Sequence, residues 1–260
     1  MDLKLSGRAY YVTGGSRGIG RAVVEGLLAE GAMVGTCARD AGALEALREA
    51  LPEALRPNLR TRACDVRDAQ AMAAAVADAA EGFGRLDGLM AGAGQGTTGR
   101  VLDTPAEEWI SQCELKLSGV RNVLIPALPA LRRSDAGRVV ILNGVTANRP
   151  DPDMAAVSAA RAAVKQLAAL YAAALAPEGI CVNTVILGAI DTGRQRARYA
   201  RAGSPLPYPE WAAAEAARRG IPLGRFGRAE EVAPLVLLLL SPLASYVTGA
   251  AVDAAGGMGV

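Results

Sequence analysis

Histidine is missing from all 260 residues of the chain. Its absence excludes an imidazole general base, a Ser-His-Asp triad and any His-ligated metal. Cysteine is scarce: Cys37, Cys64, Cys113 and Cys181 are too scattered to form a C-x-x-C pair. They read as buried free thiols in a reducing compartment, and neither a disulfide framework nor a metal site is expected. No apolar run is long enough to span a bilayer. The most apolar stretch, 232–244, contains Pro234 and Pro242 and reads as a buried helix. The first residues include Asp2, Lys4 and Arg8 and lack the apolar core of a signal peptide. Charge of neither sign dominates: 28 Lys and Arg stand against 26 Asp and Glu, a formal balance of +2. Such a balance leaves no footprint for nucleic acid. A cytoplasmic protein with no nucleic-acid or membrane partner is the expectation.

Apolar residues make up 51% of the chain and charged residues 21%, the composition of a globular protein with a sizeable core. Apolar strand-like segments at 10–12, 33–37, 61–64, 88–91, 138–142, 181–186 and 250–252 alternate with Ala-, Leu- and Glu-rich stretches at 21–30, 42–51, 69–81 and 155–176. That alternation predicts an α/β domain, doubly wound, with a parallel sheet and helices on both faces. Nothing resembling a linker divides it, so 1–260 reads as one domain. The long irregular segment 192–222 follows a late strand. It is a candidate substrate lid, because ligands of such sheets bind beyond the carboxyl ends of the strands.

The first strand runs directly into Thr13-Gly14-Gly15-Ser16-Arg17-Gly18-Ile19-Gly20, and a helix follows. A glycine-rich turn in that place lets the backbone approach a pyrophosphate, and the helix start adds free N–H groups and a positive dipole. Gly14, Ser16, Arg17, Gly18, Ile19 and Gly20 are therefore candidate dinucleotide ligands. The second strand ends on Ala38-Arg39-Asp40. Arg39, with Arg17, suits a ribose 2′-phosphate through charge-assisted bonds and favours NADP(H). Asp40, one residue on, leaves NAD(H) open through the ribose 2′-hydroxyl.

With these motifs in order, the chain resembles the short-chain dehydrogenase/reductase family along nearly its whole length. The resemblance implies a Rossmann-type fold. It matches Asp65-Val66 to the family's adenine-binding pair. Ala91, Gly92 and Ala93 fall in the fourth-strand motif, where Ala91 and Gly92 replace two asparagines. Gly188, Ile190 and Thr192 fall in the sixth-strand motif, with Leu187 in place of proline; there Ile190 and Thr192 would lie beside the nicotinamide carboxamide. The tail Ile221-Pro222-Leu223-Gly224-Arg225, with Gly249 and Gly256-Gly257, also fits. The same resemblance implies a homo-oligomer, tetramer or dimer, formed through the helices near 109–131 and 155–176.

The family's catalytic side chains are missing. By position, its Tyr falls on Val157, its Lys on Arg161, its Ser on Gly144 and its Asn on Lys116; Tyr171 lies too far along its helix to stand in. Reducing a ketone requires a proton on the oxygen as well as a hydride on the carbon. Val157 has no proton to give, and Gly144 has no hydroxyl to hold a carbonyl. Loss of a general acid costs about 10²–10⁴-fold. Lys116 and Arg161 are the candidate replacements, the first as a proton donor and the second as an oxyanion stabiliser; each also suits an anionic substrate or a purely structural ion pair. Asn143 and Ser158 are polar neighbours. On the lid segment, Arg194, Arg198 and Arg201 share helical spacing and read as a solvated face alongside Arg196. Tyr199 and Tyr208 are the tyrosines that a closing lid could bring in. Two functions follow: an atypical NADP(H)-dependent oxidoreductase acting on a small substrate, anions among the candidates, or a non-catalytic NADP(H)-binding pseudoenzyme that serves as a sensor or partner subunit.

Overall fold

Residues 9–13, Ala-Tyr-Tyr-Val-Thr, are buried along their full length, the pattern of a central strand covered on both faces. The computed structural model of the protein describes residues 1–258. In chain order its elements are β1 (Ala9–Thr13), α1 (Gly18–Ala29), β2 (Met33–Ala38), α2 (Ala41–Ala50), β3 (Leu59–Ala63), α3 (Ala69–Phe83), β4 (Gly88–Ala91), α4 (Ala106–Cys113), α5 (Gly119–Leu131), β5 (Arg138–Gly144), α6 (Ala155–Leu175), β6 (Cys181–Leu187), β7 (Ile190–Asp191), α7 (Gly193–Ala202), α8 (Tyr208–Arg218), β8 (Gly227–Arg228), α9 (Ala229–Leu240) and β9 (Ala251–Ala254).

Seven strands form one parallel sheet in the order β3-β2-β1-β4-β5-β6-β9, and β7 pairs with β8 in a small separate ribbon. The order reverses between β1 and β4, which opens a crevice at their carboxyl ends. One face of the sheet packs Leu89 and Ile141 against Val123 and Leu124 of α5 and Ala168 of α6. The other packs Val12 and Val140 against Val24 of α1 and Leu237 of α9. Both faces are thus closed by helices, as the strand–helix alternation predicts.

Three local expectations change. The segment 192–222 is not irregular: it holds α7 and α8, whose aromatic residues Tyr199, Tyr208 and Trp211 pack together with centroids 5.4–5.8 Å apart. The apolar run at 232–244 leaves the helix at Leu240, where Ser241 accepts the backbone N–H of Leu243 and starts a separate short turn. All four cysteines are free, but Cys64 and Cys113 are only half-buried.

Between α4 and α5 the backbone widens into one π-helical turn, Glu114–Ser118. Such turns re-aim side chains within an otherwise regular helix and recur at functional sites. Lys116 lies in this one. No helix among the described residues is long and apolar enough to cross a membrane. Nor do those residues bring together a metal-holding group of histidine, cysteine or carboxylate side chains.

Candidate active site

The glycine loop is shaped by close backbone approach. Gly14 and Gly18 adopt φ of +76° and +56°, the left-handed region that disfavours a side chain. A β-carbon on Gly20 would collide with the carbonyl oxygen of Gly14. Ser16 is buried, Ile19 half-buried, and Arg17 exposed at the start of α1. No acidic residue occupies the first turn of that helix. Its free N–H groups and dipole are therefore left for an anion from outside. The Thr13 hydroxyl accepts the backbone N–H groups of Gly92 (3.0 Å) and Ala93 (3.1 Å), tying the tip of β4 to the loop. Thr13 was visible in the sequence as part of the loop, but its role in holding Gly92 and Ala93 was not.

At the second strand tip, Arg39 is exposed and donates to the Gln95 side chain at 3.2 Å. Asp40 caps α2, accepting the Ala43 N–H at 3.1 Å. That bond uses one oxygen of the carboxylate on which the NAD(H) alternative depends. Asp65 is half-buried and ion-paired with Arg67 at 2.7 Å, which holds its carboxyl below the usual range. Val66 is buried. Its carbonyl accepts from the Asn122 side chain at 3.0 Å, a support with no signal in the local sequence. The glycine loop and the tips of β2 and β3 follow adjacent parallel strands, with Arg17 and Arg39 exposed beyond them.

The sixth-strand motif closes the cleft from the opposite side. A β-carbon on Gly188 would lie 2.8 Å from the Ala255 backbone, so glycine is required there. Ile190 is buried in β7, and the Thr192 methyl approaches to 3.3 Å the point where a Gly18 β-carbon would stand. The start of α7 therefore lies directly against the glycine loop.

Gly144 and Arg161 lie together, Val157 lies near Gly96, and Lys116 is close enough to Arg161 and Arg194 to feel their charge. The Arg161 side chain fills the space beside Gly144: a β-carbon there would stand 2.6 Å from the guanidinium carbon. One guanidinium nitrogen donates to the Thr146 hydroxyl at 3.0 Å. Lys116 Nζ donates to the carbonyl of Gln95 at 2.8 Å. Val157 is buried, and its γ-methyl lies near Gly96, where Arg194 of α7 arrives and donates to the Gly96 carbonyl at 3.0 Å. Among the described residues, none of these three cations forms an ion pair; their partners are neutral oxygens.

Electrostatics follow from this crowding. Burial, with Arg161 and Arg194 nearby, lowers Lys116 to about 7, while Glu108 opposes the shift. Burial and then Arg194 lower Arg161 to about 10, against Asp151. Desolvation, with Arg198 and Arg201, lowers Arg194 as well. Lys116 therefore exchanges its proton near neutrality, and Arg161 remains a cation.

Other candidates lie elsewhere or serve the scaffold. Asn143 bridges the Gly144 N–H and the Arg161 carbonyl, both at 2.9 Å, and the Ser158 hydroxyl accepts the Asp151 N–H at 3.1 Å. Tyr208 donates to Asp191 and Tyr199 to the Leu206 carbonyl, so both lid tyrosines are committed away from the inner cleft. Tyr208, raised to about 12 by burial and Asp191, keeps its proton. Tyr171 packs against the core from α6. Of the lid arginines, Arg194, Arg196 and Arg201 are exposed and Arg198 half-buried; Arg198 pairs with Glu215 at 3.3 Å, Arg196 with Asp191 at 3.5 Å, and Arg194 donates to the Gly96 carbonyl.

Among known proteins, a family model described as enoyl-(acyl carrier protein) reductase matches residues 14–259. The rhamnolipids biosynthesis 3-oxoacyl-(acyl-carrier-protein) reductase of Pseudomonas aeruginosa is 34% identical over 263 residues, covering 97% of this chain and 96% of that protein. A short-chain oxidoreductase from Pseudomonas aeruginosa PAO1, described as containing an atypical catalytic center, is 38% identical in its apo structure, with a TM-score of 0.91 and 98% of each chain covered. Its NADPH-bound structure has a TM-score of 0.90 with 96% of each chain covered. L-Sorbose reductase from Gluconobacter frateurii, complexed with NADPH and L-sorbose, is 26% identical with a TM-score of 0.93, over 99% of this chain and 98% of that one.

Proposed function

The chain belongs to the short-chain dehydrogenase/reductase family, and from that premise we propose that it is an NADP(H)-dependent oxidoreductase whose proton and charge chemistry rests on Lys116 and Arg161. The observation behind this reading is the inner cleft itself: the Arg161 guanidinium fills the space beside Gly144, and both cations bond only to neutral oxygens.

NADP(H) is the cofactor that fits. Arg17 and Arg39 would flank the adenosine end, Asp40 caps α2, and the tight turn of loop 13–20, which a side chain on Gly20 would break against the Gly14 carbonyl, presents its N–H groups to a pyrophosphate. NADPH in the Pseudomonas aeruginosa and Gluconobacter frateurii structures supports the choice. Gly14, Ser16, Gly18, Ile19 and Gly20 would hold the phosphates; Asp65 and Val66 the adenine; Ala91, Gly92 and Ala93 the inner ribose; and Gly188, Ile190 and Thr192 the carboxamide end. When bound, the nicotinamide supplies or accepts a hydride.

Arg161 stabilises negative charge on the substrate oxygen, and protonated Lys116 transfers a proton to it, to be restored from solvent. In the oxidative direction, neutral Lys116 takes that proton. The substrate is small and anionic, bound beneath a lid formed by 192–222 on a single domain, 1–260. We assign the protein to the cytoplasm, as a tetramer or dimer built through α4–α5 and α6.

The test is NADPH fluorescence on mixing, followed by NADPH oxidation against a panel of carbonyls, quinones and imines. Turnover lowered at least about tenfold by Lys116→Met supports the assignment. A second reading, a non-catalytic NADP(H)-binding sensor or partner subunit, is favoured by buried Val157, which puts no proton donor in the family's tyrosine position. NADPH binding without turnover across the panel would select it.

A further inference from the structure

Helix α7 begins with Gly-Arg-Gln-Arg-Ala-Arg, a sequence that on its own reads as a charged surface. Its arginines part company in three dimensions. Arg196 and Arg198 reach carboxylates, whereas Arg194 crosses to the loop after β4, 98 residues away in sequence, and finds only the Gly96 carbonyl. Gly96 leaves room for this approach: a β-carbon there would stand 2.5 Å from an Arg194 guanidinium nitrogen. The same point lies 3.2 Å from the Met154 methyl and 3.4 Å from a Val157 methyl, so the guanidinium rests beside an apolar wall.

We propose that Arg194 is a carboxylate clamp, and that with Lys116 and Arg161 it selects a small carboxylic acid bearing a carbonyl or hydroxyl next to its carboxylate. This rests on the oxidoreductase reading above for the role of Lys116 and Arg161, and extends it to the substrate's other end.

Each of the three cations spends a donor on a neutral oxygen and keeps others free. Glu108 and Asp151 draw on Lys116 and Arg161 by their charge but touch none of the three cations. Glu108 is bound by Thr97 at 2.5 Å and Gln112 at 2.8 Å, and Asp151 accepts the Asp153 N–H at 2.9 Å. Three like charges gathered with no carboxylate in contact repel one another, and an anion placed among them lowers that cost. A planar guanidinium suits a planar carboxylate, which it can hold by two parallel bonds. Val157 contributes to the selection by what it lacks. In place of a hydroxyl it offers a methyl surface, against which a short carbon skeleton can lie while its oxygens reach the cations.

The experiment is calorimetric titration of the intact protein with oxalate and with uncharged oxamide, each with and without NADPH. Oxalate should bind and oxamide should not. Arg194→Met should weaken oxalate by at least about tenfold, Arg194→Lys by less, because a point charge keeps attraction but loses the fork. Gly96→Ala, which displaces the guanidinium without removing it, should weaken oxalate in the same direction. Affinity for NADPH and thermal unfolding should stay as in the parent for Arg194→Lys. Oxalate that fails to bind, or binds Arg194→Met as tightly as the parent, overturns the clamp. Oxalate binding that depends on Arg194 in a protein that does not bind NADPH would uphold the clamp and overturn the oxidoreductase reading instead.

Discussion

The guanidinium carbon of Arg161 stands 2.6 Å from the point where a β-carbon on Gly144 would be. Two departures from the family pattern are thus one: loss of the side chain at 144 and enlargement of the side chain at 161 fill the same space. Residue 144 ends β5 and residue 161 lies in the second turn of α6, so the exchange couples strand to helix.

Gly144→Ser alone should therefore destabilise the protein by about 1–3 kcal/mol, the cost of overpacking a filled site. Arg161→Lys alone should do little harm to folding. The double change should recover most of the loss, because the shorter, slimmer ammonium vacates the space. A double-mutant cycle by urea denaturation reads the coupling; strictly additive effects would show that the two side chains do not share the site.

Cofactor choice turns on Arg39. Replacing it by Asp should weaken NADPH and improve NADH, as a carboxylate repels the 2′-phosphate and accepts from a 2′-hydroxyl. Fluorescence titration with both nucleotides reads the change. Equal affinity of the parent protein for NADPH and NADH would remove the basis for assigning Arg39 this part.

Much of this cleft was legible in the chain. Apolar runs broken by helix-forming stretches marked the strands to within a few residues, and the glycines at 14, 18 and 20 marked the loop, because both are local requirements. The altered positions 116, 144, 157 and 161 were placed by the resemblance to the family. Arg194 could not. Helical spacing grouped it with Arg198 and Arg201, but its contact with Gly96 depends on where α7 lies against the loop after β4, a tertiary fact. Asp40 was ambiguous for a different reason: one carboxylate serves equally as a ribose ligand or a helix cap, and the bond to Ala43 shows the second role in the structure. The lid tyrosines were misleading because Asp191 and Leu206, their actual partners, carry no local mark.

The assembly prediction follows from exposed apolar residues on α4, α5 and α6. Ile110, Ile125 and Leu170 remain exposed on the isolated chain, and burying them against a second copy would stabilise a dimer or tetramer. Light scattering at micromolar concentration should give a multiple of the 26.6 kDa chain mass. Leu170→Glu should shift the distribution towards smaller species, and a monomeric parent protein would count against the assembly.

Lys116 should impose its own pH dependence on both activity and stability. Its ammonium is pushed down from 10.5 to about 7 by burial and by Arg161 on α6 and Arg194 on α7, with Glu108 on α4 opposing. Carbonyl reduction needs the protonated form, so the rate should fall as pH rises through about 7, and oxidation should rise over the same range. Lys116→Met should lower turnover by at least about tenfold and remove that inflection, since a single acid supplies that scale. For stability, the sign comes from proton counts. Between about 7 and the ordinary lysine value of 10.5, the unfolded chain holds a proton that the folded chain has released. Unfolding free energy should therefore climb with pH across that window, and below it the cost of burying the charge is paid in full. The difference in stability between the parent and Lys116→Met should narrow or reverse in the parent's favour as pH rises from 7 towards 10. An anion bound beside Lys116 should raise its proton affinity, moving the kinetic inflection upward when oxalate is present and drawing protons from buffer on binding. Calorimetry in buffers of different ionisation enthalpy measures that uptake. Oxalate binding with no proton uptake near pH 7.5, in a protein whose rate shows no inflection near neutrality, would place the working proton on some group other than Lys116.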